Sequence, residues 1–272
     1  MNILFILSIT VVSFLFTVIF MPTVNHMLNE SNCTKSNFKN EMIPVCTGLI
    51  FIPVVTMNSF IAMVWLRSNQ YKLPLIFLLG TLAMGAAGFI DDMLGNRNDS
   101  GLMGHFKALM KGRLTTGAFK ALYGGLIALM ISYLLSDHVL NILINTAIIA
   151  LFTNAINLLD LRPGRAIKGF LCGTVILSII SPFSILHILL YGLSSSVIAY
   201  MPYDLKAMNM LGDVGSNILG IALGIVFITN PLSTRVVVLV LLMAFHLFTE
   251  KYSLTEIIEK NKFLKYFDQI GR

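Results

Sequence analysis

Apolar residues run through this chain in long blocks, and polar residues collect in the short gaps between them. The blocks are Ile3–Met21, Pro44–Trp65, Leu73–Ile90, Phe119–Leu135, Val139–Leu159, Ala166–Ser181, Ile185–Met201, Gly212–Thr229 and Val236–Phe248. Each is long enough, or nearly so, to cross the roughly 30 Å hydrocarbon core of a bilayer as a helix. They predict an all-α polytopic helical bundle of about nine transmembrane helices over residues 1–250. The first block lacks a basic segment ahead of it and reads as a span, not a cleaved signal peptide. Beyond Phe248, apolar residues return at Leu254, Ile257, Ile258, Leu264 and Phe267 among Glu and Lys. That near-helical period predicts an amphipathic tail, residues 251–272, lying along the inner membrane surface.

Composition strengthens this picture. Of the 272 residues, 56% are hydrophobic and 12% charged, against about 25% charged in soluble domains, and the mean hydropathy is +0.83. No polar stretch is long enough for a separate soluble domain. Cys33, Cys46 and Cys172 have no metal-ligand spacing and read as packing residues or free thiols.

The net charge of +6 sets the topology. With the N-terminus outside, every Lys and Arg except Arg67, Lys72 and Arg235 falls in an inner loop or the tail, which is 16 of 19. The positive-inside rule therefore predicts a cytoplasmic C-terminus.

Against this background, polar residues at span ends stand out. An apolar run ends in Gly88-Phe89-Ile90-Asp91-Asp92, and two adjacent carboxylates at a membrane boundary call for a cation. Asn154, Asn157 and Asp160 recur every three residues, which predicts a shared helical face at the inner end of another span, and are followed by Arg162 and Arg165. These arginines suit a phosphate or simply obey the charge rule. In Gly212-Asp213-Val214-Gly215-Ser216 an acid opens a helix between glycines, where backbone can approach a ligand closely. Between them, Leu102–Gly112 predicts a helix with Lys107 and Lys111 on one face and His105 beside them. Thr115-Thr116-Gly117 reads as the N-cap of the next span. The stretch Asn37–Gly48 reads as a solvated loop entering a helix at Pro44. All of these stretches are expected on one membrane face. Their carboxylate and amide oxygens, with no histidine or thiolate cluster, point to Mg2+ and so to a diphosphate substrate. His187 and His246 lie within spans and read as helix-packing residues.

These three motifs, in this order and on one predicted face, resemble the polyprenyl-phosphate N-acetylhexosamine-1-phosphate transferase family, which includes the phospho-N-acetylmuramoyl-pentapeptide transferases. Lys39, with Ile43-Pro44 and Gly48, fits the family's first inner loop. The resemblance implies transfer of a phospho-sugar from a UDP-sugar to a membrane polyprenyl phosphate. The products would be a polyprenyl diphosphate sugar and UMP, for cell-envelope polymer synthesis at the cell membrane. It implies Mg2+ on Asp213 with help from Asp91 and Asp92, which also orient or deprotonate the acceptor. Asp160 and Asn157 then line the donor pocket with Asn154 and Gly212. Lys107 contacts phosphate, with Lys39, Lys120 and His105 as further substrate contacts. The family's histidine motif in the last inner loop has no counterpart in Glu250-Lys251-Tyr252-Ser253. Arg162 and Arg165 are expected to supply diphosphate contacts instead. Two alternatives are a family member without catalysis acting as a membrane interaction or scaffold protein, and a transporter using its acids for ion coupling; in each case a homodimer is compatible with the sequence.

Overall fold

A computed structural model describes residues 3–66, 71–95, 104, 108 and 110–272. Among these are eleven α-helices: α1 (Ile3–Glu30), α2 (Phe51–Leu66), α3 (Lys72–Leu94), α4 (Thr116–Leu135), α5 (Val139–Leu159), α6 (Arg165–Ile180), α7 (Ile185–Leu205), α8 (Gly212–Phe227), α9 (Leu232–Lys251), α10 (Leu254–Lys260) and α11 (Lys262–Gln269). A short antiparallel hairpin, β1 (Thr34–Ser36) and β2 (Met42–Pro44), pairs Lys35 with Ile43. A single 3-10 turn, Thr47–Ile50, leads into α2.

Apolar residues cover the outside of the bundle as well as filling its core. In α1, Phe5, Ile9, Ser13, Thr17, Met21 and Leu28 are buried, a stripe built on steps of four that one helical face provides. The opposite face exposes Leu4, Leu7, Val11, Leu15, Val18 and Ile19. An apolar area of that size is unsuited to water and suited to lipid. The buried stripe contains the hydroxyls. Ser13 donates to Asn58 Oδ1 at 3.0 Å, and the Thr17 and Ser196 hydroxyls lie 2.6 Å apart. Such bonds join helices where lipid offers no hydrophobic drive for association. Seven helices are long and apolar enough to cross a membrane, so the chain is an all-α membrane bundle.

At the centre lies α8, buried along nearly its whole length. It packs against α3 and α5, and more lightly against α6 and α7. With 16 residues it is about 24 Å long at 1.5 Å per residue. Enclosed by protein, it need not match the bilayer thickness. In contrast α9, at the periphery on α5, has no buried residue. Its anchor is Arg235, which donates to Asn145 Oδ1 at 2.7 Å and Asn141 Oδ1 at 3.2 Å.

The end of the bundle that gathers the C-termini of α3, α5 and α7 also gathers the N-termini of α4, α6 and α8. The stretch expected to be a solvated loop forms the β1–β2 hairpin instead. Asn37 Oδ1 accepts from the amides of Lys39 and Glu41 and so builds its turn. Beyond the hairpin, Pro44 O accepts from Met210 N at 2.8 Å and Thr47 N donates to Met210 O at 3.1 Å. These bonds tie the hairpin to the segment that opens α8. The tail, expected as one helix, is two, divided at Asn261, whose side chain caps α11. Cys33, Cys46 and Cys172 are unbridged. His187 closes a capping box with Ser184, and His246 Nδ1 lies 2.7 Å from Leu242 O. Both are local packing roles.

Candidate functional site

Backbone meets backbone where α3 touches the start of α8. A Cβ added to Gly88 would lie 2.3 Å from Asp213 O and 2.6 Å from Val214 N. Only glycine permits this approach. One turn beyond Gly88, α3 delivers Asp91 and Asp92 beside Asp213.

The two neighbouring acids serve different ends. Asp92 Oδ2 accepts from Val214 N at 3.1 Å and so holds the free amides of the α8 N-terminus, where a negative charge is favoured. Gly212, at φ +76°, makes the turn into that helix. Lys35 Nζ donates to Asp92 O at 2.8 Å. Asp91 faces the other way. Its Oδ2 lies 2.7 Å from Lys120 Nζ, and the same ammonium contacts Asp213 Oδ2. Lys120 stands near the start of α4, whose N-cap is Thr115, the first residue of the expected Thr115-Thr116-Gly117 stretch, accepting from Ala118 N.

Asn157, on α5, completes the group. With its amide oriented to suit its neighbours, its nitrogen donates to Asp213 Oδ1 at 2.9 Å and to Ser216 Oγ at 3.0 Å, and its oxygen accepts from Lys120 at 3.2 Å. Two carboxylates and one amide oxygen, from three helices, therefore converge on one cation. The side chains of Asp91, Lys120 and Asp213 remain 17%, 17% and 26% exposed, so a ligand can reach them.

Asp160, capping the C-terminus of α5, lies beside the Gly212 amide on the adjoining side. Burial, and then the charges of Asp204, Asp213 and Asp92, hold its carboxyl well above the usual carboxylate range. It favours the neutral acid at pH values where an exposed aspartate is ionised. The folded state therefore binds more protons than the unfolded chain between those two ranges, and stability falls as pH rises through them. Asp160→Asn, which abolishes this titration, is expected to raise the melting temperature at pH 7.5 by about 2–4 °C, the shift that about 1 kcal/mol makes in a chain of this size. No gain is expected near pH 4; a thermal melt of the detergent-solubilised protein at both pH values checks it.

The structure brings together Asp91, Asp92, Asp160, Asp213, Asn157, Lys120 and Gly212. Other expected residues stand apart. Asn154 is exposed, because a three-residue step falls short of the 3.6-residue turn by about 60° and carries the row off the buried face. Lys39 sits at the hairpin turn, its ammonium 5.6 Å from the centre of the Phe38 ring, and the Arg162 guanidinium stacks on the same ring at 5.6 Å. Arg165, expected as a free diphosphate contact, is corrected: it is buried in an ion pair with Asp268 of α11 at 2.6 Å. An arginine held by a buried carboxylate has its charge already satisfied. Lys107 and His105 lie outside the described residues, as does most of the helix expected over Leu102–Gly112.

Three contributors have no role of their own assigned from the sequence, although Ser216 lies inside the Gly212-Asp213-Val214-Gly215-Ser216 motif. Lys35 had no motif around it. Ser216 lies three residues after Asp213, on the same face, a spacing that was available as a signal. Asp204, at the end of α7, accepts from Gly164 N at 2.6 Å and fixes the turn that follows Asp160.

The oxygen-rich group suits a hard divalent cation. Among the described residues no three His, Cys, Asp or Glu side chains gather as a metal-holding group. However, Mg2+ commonly takes one or two protein carboxylates and fills its shell with water and phosphate oxygens. The pair Asp91 and Asp213 matches that share. A scan against protein-family models and a search of curated proteins found no match for this chain.

Proposed function

We propose that the chain is a Mg2+-dependent phosphosugar transferase, moving a phospho-N-acetylhexosamine from a UDP-sugar to a membrane polyprenyl phosphate for cell-envelope polymer synthesis. The observation that carries this reading is the meeting of Asp91, Asp213, Asn157 and Lys120 at one end of the bundle. It joins, in space, the three motifs that resemble the polyprenyl-phosphate N-acetylhexosamine-1-phosphate transferases. On this reading the end bearing the site faces the cytoplasm, the N-terminus is outside, and α6 and α8 complete nine spans with the seven longer helices.

The chemistry is an in-line phosphoryl transfer. An oxygen of the acceptor phosphate forms a bond to the sugar-bearing phosphorus, and the bond from that phosphorus to the bridging oxygen breaks, releasing UMP. Such a reaction depends on alignment and charge neutralisation. Asp213 and Asp91 would hold Mg2+, which supplies charge neutralisation to the diphosphate. Lys120, freed from the carboxylates, adds a second positive charge to the same oxygens. Asp92 keeps the α8 N-terminus rigid, so that Asp213 holds its position. Asn157 orients Asp213, and Asp160, on the donor side, is suited to share its proton with a phosphate or sugar oxygen.

Membranes containing the protein, supplied with polyprenyl phosphate and a panel of UDP-sugars, are expected to release UMP with Mg2+ and not with EDTA. Release that ignores EDTA contradicts the metal assignment. Silence across the whole panel contradicts the transferase reading and favours the scaffold.

A further inference from the structure

The last residues of the chain are fastened to the loop that follows Asp160. Arg165 Nε and Nη2 donate to the two carboxylate oxygens of Asp268 at 2.6 and 3.1 Å, while its Nη1 donates to Thr255 Oγ1 at 2.9 Å. Both members of the pair are nearly enclosed, with side chains 6% and 9% exposed. Lys168 Nζ donates to the carbonyls of Phe267 and Asp268, each at 2.9 Å, where the end of α11 leaves carbonyls unpaired. Arg272 reaches back over the loop, with Nε 2.8 Å from Pro163 O and Nη1 3.1 Å from Asp268 Oδ2.

A solvent-exposed tail would gain little from scattered ion pairs. Here two fork-shaped groups share one enclosed carboxylate, a geometry in which removing one partner leaves buried charge uncompensated. The loop so held is short and has a second clamp, the bond from Gly164 N to Asp204. Its other end is Asp160, whose amide donates to Asn157 O at 3.1 Å, and the Asn157 side chain donates to Asp213 at 2.9 Å, beside Gly212. A continuous chain of contacts thus runs from the C-terminal residues to the cluster on α8.

We infer that the C-terminal tail, through Asp268 and Arg272, is a positioning element of the site: docked, it holds the 160–165 loop so that Asp160 and Gly212 keep their places. Asp268 touches no reacting atom in this account; it acts through Arg165. The consequence for donor binding rests on the transferase reading, whereas the consequence for backbone order does not.

The test compares the wild type with Asp268→Asn, with the milder Arg272→Gln, and with the double exchange Arg165→Asp/Asp268→Arg. Hydrogen exchange in peptides covering 157–165 and 211–214 is expected to speed up about tenfold in Asp268→Asn, less in Arg272→Gln, and to return towards wild type in the double exchange, since unlocking about 1.4 kcal/mol of local order gives a factor of ten. If the tail of Asp268→Asn becomes protease-sensitive while those two segments exchange as before, the inference is overturned. With a donor that supports turnover, Asp268→Asn is expected to raise donor KM about tenfold with kcat within about twofold. A lowered KM would mean that the tail competes with the donor, and would also overturn it. Should no donor be turned over by the wild type, the function proposed above fails, and the exchange measurement still decides this one.

Discussion

Asp213→Asn is expected to slow UMP release by at least about a thousandfold while leaving the protein folded. The size follows from the role proposed for the carboxylate, one of two charges that would face the cation: removing a preorganised electrostatic contact of this kind commonly costs about 10²–10³ in rate, and losing a proposed metal ligand would add to it. The fold survives because the amides at the start of α8 are held by Asp92, not Asp213, and asparagine has nearly the same shape as aspartate. UMP release measured beside a thermal melt checks both halves. A variant that is inactive because it no longer folds would contradict the division of labour between the two acids.

Gly88→Val is expected to be damaging for a different reason. The added Cβ meets the backbone of Asp213 at 2.3 Å, with no flexible side chain to move aside. The helices must part by about 1 Å to restore ordinary contact, and overpacking of this kind costs about 1–3 kcal/mol. Separation also pulls Asp91 from the Lys120 and Asp213 group, so activity is expected to fall well beyond what the loss of stability accounts for. Gly125 of α4 supplies the control. A Cβ there meets nothing within 4 Å, and Gly125→Ala is expected to be neutral or to stabilise by about 0.5–1 kcal/mol. Equal losses in the two variants would contradict the close-approach explanation.

The helices were legible in the sequence because desolvating a backbone in lipid leaves it few options: every apolar block from Ile3 to Phe248 contains a helix, although α1 runs past Met21 to Glu30 and α2 starts at Phe51, well after Pro44. The membrane-end acids were legible for the same reason: Asp91, Asp92 and Asp213 are conspicuous where charge is costly. What the sequence concealed was partnership across distance. Arg165 carries no mark that Asp268, more than a hundred residues later, will claim it. Asp91 and Asp92 are chemically alike, and only the placement of α8 makes one a helix cap and the other a neighbour of Lys120. The hairpin was hidden by its shortness, since three-residue strands leave no readable alternation. The spacing of Asn154, Asn157 and Asp160 predicts one face, but a step of three drifts around the helix, and the first member points outward.

The central claim is that this group of acids and lysine transfers a phospho-sugar intact, and the fate of one phosphorus atom tests it most directly. A UDP-N-acetylhexosamine labelled with 32P at the sugar-bearing phosphate is incubated with the protein, Mg2+ and polyprenyl phosphate, and the lipid is extracted. The account predicts that the label moves into the lipid together with the sugar, in step with UMP release, and that it stays in the aqueous phase with Asp213→Asn. Sugar reaching the lipid while the label remains behind as UDP would contradict it.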